Sequence, residues 1–143
     1  MPALLTYRGV VAPSDCDILG HMNVARYFDA ASDAGFTMQA NLGLTAADMT
    51  GGRRISGAVV HADSNFIQEV LAGETIHVLT DIPAIGTKSI TYRHRLFRST
   101  TDELAFVSVF KNAMLSLETR KAVPIPDDMR AAAQAYLTEA RGE

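Results

Sequence analysis

The sequence predicts an α+β domain in which a curved antiparallel sheet of about five strands wraps round one long central helix. Two patterns carry this prediction. Apolar residues recur at steps of three and four over residues 24–42, which is one face of an amphipathic helix. From residue 55 onward the apolar period changes to two, and short turns separate the segments. Consecutive strands with tight turns imply an antiparallel meander, and the helix must bury its stripe against that sheet.

The elements are predicted in the order strand, long helix, four strands and short helix. The first strand covers residues 4–12, and the long helix follows with Asn23 as its N-cap and Gly43 as its stop signal. A loop with a short helical turn comes next. The later strands cover residues 55–70, 75–82, 88–98 and 104–117, and turns separate them, one of them at residues 83–86. The amphipathic tail helix covers residues 129–141. We expect a bend within residues 55–70, and Ala133 and Leu137 of the tail helix to face inward.

Length and composition favour a single globular domain over residues 1–143. The chain is 48% apolar and 20% charged, with a net charge of −3 and no basic run, which disfavours nucleic acid as a partner. No apolar stretch approaches the roughly 18 residues of a membrane span, and no signal peptide is visible. The single cysteine, Cys16, excludes an intrachain disulfide framework. We therefore expect a cytoplasmic protein without a membrane partner.

Polar side chains concentrate directly before the long helix. Asp17, His21 and Asn23 converge at a helix N-terminus, where free N–H groups and the helix dipole favour developing negative charge. Such a site can polarise a carbonyl while it presents a carboxylate. Asp17 can alternatively be a turn or capping residue, His21 a loop histidine bonded to backbone, and Asp15 the competing acid.

Other chemistry has little support in the sequence. Flanking carboxylates disfavour a thiolate at Cys16, and no motif supplies a base for it. The histidines are scattered, and no metal or nucleotide motif is present, so we expect no metal and no cofactor. Four basic residues of the predicted strands are interpreted as solvated charges or, alternatively, as contacts to substrate phosphates: Lys88, Arg93, Arg95 and Arg98.

The run Asp15-Cys16-Asp17-Ile18-Leu19-Gly20-His21-Met22-Asn23, followed by Arg26-Tyr27-Phe28, resembles the hot-dog-fold acyl-CoA thioesterases. The resemblance is to the 4-hydroxybenzoyl-CoA thioesterase-like family. Weaker matches at 59–66, 72–74, 86–89 and 124–126 extend it over roughly residues 7–130. It implies a hot-dog fold with Asp17 as the catalytic carboxylate, acting as nucleophile or general base. It also implies a carbonyl-polarising backbone N–H at or next to Val24, with His21 and Asn23 orienting the acid or the water.

The same resemblance implies partners. They are an acyl-CoA substrate, whose coenzyme A is the only cofactor-like group, and further copies of the chain. The expected assembly is a dimer or a dimer of dimers with active sites between protomers. Tyr27 and Phe28 are expected to wall the acyl pocket. Phe66 is compatible with an aromatic or short aliphatic acyl group, and Asp63 with Asn65 is compatible with a charged acyl group.

Two departures from the family pattern leave the acyl group open. Many relatives carry Asn-Asn where this chain has Asn23-Val24, and the benzoyl-type enzymes lack the His21 and Asn23 combination. The alternatives are a thioesterase for acyl carrier protein, a hydratase of the same fold, and a non-catalytic acyl-CoA binding domain.

Overall fold

The computed structural model describes residues 3–138, which form one antiparallel sheet and three α-helices. Single turns of 3₁₀ helix at Pro13–Asp15 and Gln134–Tyr136 complete the secondary structure. The predicted α+β class is confirmed. In chain order the elements are β1 (Leu4–Val10), α1 (Val24–Asn41), α2 (Ala46–Thr50), β2 (Ile55–Phe66), β3 (Thr75–Ile85), β4 (Ser89–Arg98), β5 (Glu103–Ser116) and α3 (Asp127–Ala133).

The sheet has the strand order β1-β3-β4-β5-β2, and every pairing is antiparallel. The prediction of a consecutive meander holds for β3, β4 and β5 but is wrong for β2, which pairs with β5 at the far edge. The segment 67–74 is a crossing connection rather than a tight turn. It is fixed at Val70, which is fully buried and whose carbonyl accepts a hydrogen bond of 2.8 Å from the Met22 N–H.

Helix α1 lies against the sheet and separates two clusters of buried side chains. Its buried face includes Ala30, Ala31 and Ala34, whose small side chains let the helix approach the strands closely, and the fully buried Met38. One cluster surrounds the first half of the helix and the other surrounds Met38. Burial of each large side chain of this kind contributes about 1.5–3 kcal/mol, so this packing fixes the position of the helix N-terminus.

Three predicted boundaries are wrong. β2 ends at Phe66 rather than at residue 70. β3 continues through the predicted turn, because a register shift between Asp81 and Ala84 accommodates Pro83 without a broken ladder. The tail helix α3 ends at Ala133, which is buried as predicted. Leu137 is 37% exposed instead of inward, since its backbone bridges to β3 at Ile82. The predicted end of the tail helix at residues 139–141 lies outside the described residues.

Candidate active site

A tight loop between β1 and α1 presents Asp17. The Cys16 and Met22 backbones bridge across its base, and the Asp17 N–H donates to the His21 carbonyl at 3.2 Å. The Gly20 N–H returns to the Asp17 carbonyl at 2.9 Å, with Gly20 at φ 84°, a conformation that a side chain would strain. The backbone thus fixes where the Asp17 side chain starts.

The Asp17 carboxylate is held by two donors. Its Oδ2 accepts from Asn23 Nδ2 at 2.8 Å, and its Oδ1 accepts from the Leu19 backbone N–H at 2.9 Å. These hydrogen bonds, that of Asn23 first, lower the pKa of the carboxyl below its ordinary value, and the nearby His21 adds a small contribution in the same direction. Asp17 is therefore an oriented, ionised carboxylate at neutral pH.

Asn23 connects this carboxylate to the start of α1. Its side-chain oxygen accepts from the Ala25 N–H at 2.9 Å, and its carbonyl accepts from the Arg26 N–H at 2.9 Å. The predicted N-cap is confirmed. The backbone N–H of Val24 has no acceptor among residues 3–138. The residue directly after Asn23 thus carries an unpaired donor at the helix N-terminus, next to the residue whose side chain holds Asp17.

His21 is half-buried beside this helix start. Its Nδ1 lies 3.2 Å from the Met22 carbonyl oxygen, which can only accept, so Nδ1 carries the proton. At neutral charge the opposite ring nitrogen, Nε2, is then a bare acceptor. His21 can orient a water molecule or an N–H or O–H group in the neighbouring cleft.

A cleft of about 200 Å³ opens at this point between α1 and the segment after β2. His21, Val24 and Tyr27 line one side and residues 66–69 line the other. The Tyr27 ring meets Phe66 edge-on at 5.3 Å between centroids, and its hydroxyl donates to the Gln68 carbonyl at 3.5 Å. Burial raises the pKa of Tyr27, which keeps the phenol neutral. Asp17 is not among the residues that line this cleft, and its link to the cleft is the hydrogen bond from its backbone N–H to the carbonyl of His21, which does line it.

The remaining predicted site residues lie apart from the cleft. Phe28 is half-buried and does not line the cleft, although its ring meets Phe66 edge-on at 6.2 Å and stacks on Phe110 at 6.4 Å. Asp63 and Asn65 are exposed and alternate along β2 with Ser64 and Phe66, whose partners Ser108 and Phe106 are buried. The alternation of a strand therefore turns Asp63 and Asn65 toward the other face of the sheet, and the structure does not bring them to the cleft.

Several groups at the site escaped the sequence analysis. The Leu19 N–H that holds Asp17 is a backbone donor and leaves no residue signature. Residues 67–69, predicted as strand, instead form a wall of the cleft.

Three of the basic strand residues are engaged in ion pairs: Arg93 and Arg95 with Asp81, and Arg98 with Glu74.

Within residues 3–138, no cluster of histidine, cysteine or acidic side chains has the arrangement of a metal site. In the same range, no helix combines the length and the apolar character needed to cross a membrane.

Comparison with known proteins identifies the fold. Three solved structures superpose over most of the chain. A 1,4-dihydroxy-2-naphthoyl-CoA thioesterase from Synechocystis is 17% identical, with a TM-score of 0.79 over 91% of this chain and 95% of that one. A proposed thioesterase from Pseudomonas putida is 27% identical, with a TM-score of 0.81 over 96% and 86%. A Staphylococcus aureus protein solved in complex with CoA is 18% identical, with a TM-score of 0.85 over 95% and 85%.

No curated protein sequence matches the chain significantly. The family described as the thioesterase-like superfamily matches residues 11–133, which include the whole candidate site and four of the five strands. The chain therefore belongs to the thioesterase-like superfamily and has the hot-dog fold of its thioester hydrolases.

Proposed function

We propose that the chain hydrolyses an acyl-CoA thioester to the free acid and CoA, with Asp17 as the catalytic carboxylate. One observation carries this proposal. Asn23 binds the Asp17 carboxylate with its side-chain nitrogen and the first turn of α1 with its side-chain oxygen, next to the unpaired N–H of Val24. Thioester hydrolysis needs these two functions side by side: a carboxylate for the carbonyl carbon or for water, and a donor for the carbonyl oxygen.

The ionised Asp17 serves either of two routes. In the first, a carboxylate oxygen attacks the carbonyl carbon, the C–S bond breaks, CoA leaves as a thiolate that takes up a proton, and water then hydrolyses the mixed anhydride. In the second, Asp17 takes a proton from water while the water oxygen attacks, and CoA leaves with that proton. Both routes yield one acid and one CoA thiol, and both need Asp17 ionised, the state that its lowered pKa favours.

The helix N-terminus supplies the complementary charge. As the carbonyl carbon becomes tetrahedral, its oxygen gains negative charge, which the Val24 N–H and the helix dipole stabilise. A single donor of this kind contributes about 10²–10³ in rate in well-studied enzymes. His21 lines the cleft, and its Nε2, an acceptor when the ring is neutral, is the group that would hold the attacking water in the second route.

Strand β2 supports the expected dimer. One side of β2 pairs with β5, while its other side is a twelve-residue edge on which Val59 and Val60 are 52% and 62% exposed. A long edge strand with exposed valines at its centre is a template for pairing with a second copy. Antiparallel pairing of β2 with itself about a twofold axis places the Phe66 end of one strand opposite the Ile55 end of the other. Each cleft would then lie against the partner subunit.

That arrangement also brings cations to the cleft. The Arg54 carbonyl accepts from Leu117 and the Lys121 carbonyl from Ser116, which places Arg54, Arg120 and Lys121 together at the Ile55 end of β2. None of these three cations forms an ion pair with a residue in 3–138. These three cations are better candidates to bind the phosphates of CoA than the strand arginines are, because the strand arginines already bind Asp81 and Glu74.

A matched pair of substrates tests whether CoA is the group that carries the acyl chain. We expect Arg120→Ala with Lys121→Ala to raise KM for an acyl-CoA by about tenfold without changing kcat, because each phosphate contact stabilises binding only. The same acyl group on pantetheine lacks the nucleotide phosphates, and its KM should not change. Equal effects on both thioesters, or better turnover of a thioester on acyl carrier protein, would contradict CoA as the carrier.

The activity itself is tested by free-thiol release from a panel of aromatic, aliphatic and cationic acyl-CoAs. Turnover of at least one member with release of stoichiometric thiol is expected. Saturable binding without thiol release would instead identify an acyl-CoA binding domain.

A further inference from the structure

A second cavity of about 200 Å³ lies between α1 and the inner face of the sheet, away from the catalytic loop. The helix contributes Gly35, Phe36 and Gln39, and the strands contribute residues 57–59 together with Tyr92, Phe110 and Asn112. An apolar protein cavity of about 150 Å³ holds benzene. This space therefore suits a ring or a short carbon chain with one or two substituents.

Two buried polar atoms beside this cavity have no hydrogen-bond partner among the described protein atoms. They are the hydroxyl of Tyr92, a residue 3% exposed, and Nε2 of His94, a residue 1% exposed. The two rings are neighbours on β4, with centroids 5.9 Å apart. Buried polar atoms are almost always paired, because an unpaired one is costly. Tyr92 lines the cavity, and His94 packs behind Gly35, which also lines it, so both atoms are candidate hydrogen-bonding partners for a ligand there.

A chain of hydrogen bonds fixes the proton on His94. The Thr6 hydroxyl donates to the Val78 carbonyl, which can only accept, so Thr6 must accept from the Thr80 hydroxyl 2.8 Å away. Thr80 has then used its only proton and must accept from His94 Nδ1 at 2.7 Å. Burial lowers the pKa of His94 to about 4, so the ring is neutral at pH 7. Its Nε2 is consequently a lone pair that lacks a donor.

Gly35, which lines the cavity, packs directly against this lone pair. A Cβ built at position 35 would lie 3.8 Å from His94 Nε2, and, apart from the adjacent residues and the helix backbone, no other atom of residues 3–138 lies within 4 Å of it. Glycine in the middle of an 18-residue helix is unfavourable, and here the missing side chain lets the helix backbone, which lines the cavity at Gly35, lie next to the imidazole. The Tyr92 hydroxyl retains a proton at neutral pH, since burial raises its pKa, and has no acceptor for it.

We propose that this cavity binds the hydroxyl-bearing end of a small apolar group, with Tyr92 and His94 as the specificity-determining residues. A hydroxyl accepts a hydrogen bond and donates one, which are the two functions that the unpartnered atoms lack. An ether, a ketone or a hydrocarbon cannot donate to the lone pair of His94 Nε2. An ammonium group donates but cannot accept from Tyr92.

The identity of that group as the acyl part of a thioester rests on the proposed function. In a dimer paired through β2 with Ile55 opposite Phe66, residues 57–59 of one subunit lie opposite residues 62–64 of the other, so each cavity opens on the side of its partner's cleft. The thioester would then carry a hydroxyl at the end of the acyl group far from sulfur.

Direct binding of small probes tests the inference without catalysis. We would titrate the full-length protein with phenol and with toluene, and with cyclohexanol and methylcyclohexane to separate the hydroxyl from the ring, using ligand-detected NMR. Tyr92→Phe deletes one oxygen, and Gly35→Ala covers His94 Nε2 with a methyl group at ordinary contact distance. Tyr136→Phe deletes a tyrosine oxygen that bonds Asn41 outside the cavity and is the matched control.

We expect phenol and cyclohexanol to bind in a saturable manner. Their preference over the methyl analogues should fall about 5- to 10-fold in Tyr92→Phe and in Gly35→Ala, the effect of one lost hydrogen bond, and not in Tyr136→Phe. An unchanged preference in both cavity variants would overturn the inference and point to a bound water as the partner of these atoms. Asp17→Asn should bind the probes normally. If the wild-type protein binds the probes but hydrolyses no thioester, the proposed function is wrong and the inference about the cavity stands.

Discussion

His94 makes the stability of this protein depend on pH in a way that can be calculated. Burial lowers its pKa to about 4 in the folded chain, opposed weakly by Asp81, whereas an unfolded histidine titrates near 6.5. The folded state keeps the ring neutral while the unfolded state takes up a proton as the pH falls. The contribution of neutral His94 is thus fully present above pH 6.5 and is lost as pH falls from 6.5 toward 4.

The size of the effect follows from those two values. Between pH 7 and pH 5, protonation of this residue alone raises the ratio of unfolded to folded protein by about 20-fold, or about 2 kcal/mol. The measurement is urea unfolding at both pH values and one protein concentration. His94→Asn keeps an amide donor where Nδ1 bonds Thr80 but cannot titrate, so it should lose about 2 kcal/mol less than wild type over this range.

A second destabilised variant provides the control. Leu96→Ala removes a fully buried side chain two residues along β4 and leaves His94 in place. It should be less stable at both pH values but retain the wild-type difference between them. If His94→Asn and wild type lose equal stability between pH 7 and pH 5, the buried neutral imidazole is refuted, and with it the assigned lone pair on Nε2.

Three other substitutions test parts of the architecture. Asn23→Ala removes the N-cap and the donor to Asp17, so the free energy of unfolding should fall by about 1 kcal/mol and kcat by about tenfold, measured by urea unfolding and thiol release. Gly35→Ala should raise stability by up to about 1 kcal/mol, since alanine favours the helix and its Cβ meets only ordinary contacts. Asp81→Asn should lower stability by about 3–5 kcal/mol, because it neutralises a buried carboxylate that Arg93 and Arg95 bind. Wild-type stability in Asp81→Asn would refute that account.

Local patterns were sufficient to predict much of this fold. The spacing of apolar residues located α1, Asn23 located its N-cap, and the period of two located every strand within a few residues. The position of β2 could not be predicted, because a strand that pairs with β5 across the sheet has the same alternation as one that pairs with its neighbour. Pro83 suggested a turn because a bulge that keeps a proline in a strand has no local signature.

The candidate site and the neighbouring cavity were likewise only partly predictable from the sequence. The polar segment before α1 indicated Asp17, His21 and Asn23, and the structure brings these three together around the helix start. The chain from Thr6 through Thr80 to His94 joins three strands, and its residues are 14 and 74 positions apart. Only the pairing of β1 with β3 and of β3 with β4 shows that they meet.

The most direct measurement compares two carboxylates of the same loop. Asp17→Asn keeps the shape of the side chain and removes its charge, while Asp15→Asn does the same to the acid that accepts from the Ala12 N–H and lies 3.7 Å from Arg26. With the best acyl-CoA of the panel, Asp17→Asn should lower kcat by about 10²–10⁴, and Asp15→Asn should retain most of the wild-type rate. Wild-type turnover by Asp17→Asn would contradict the assignment of Asp17 as the catalytic carboxylate.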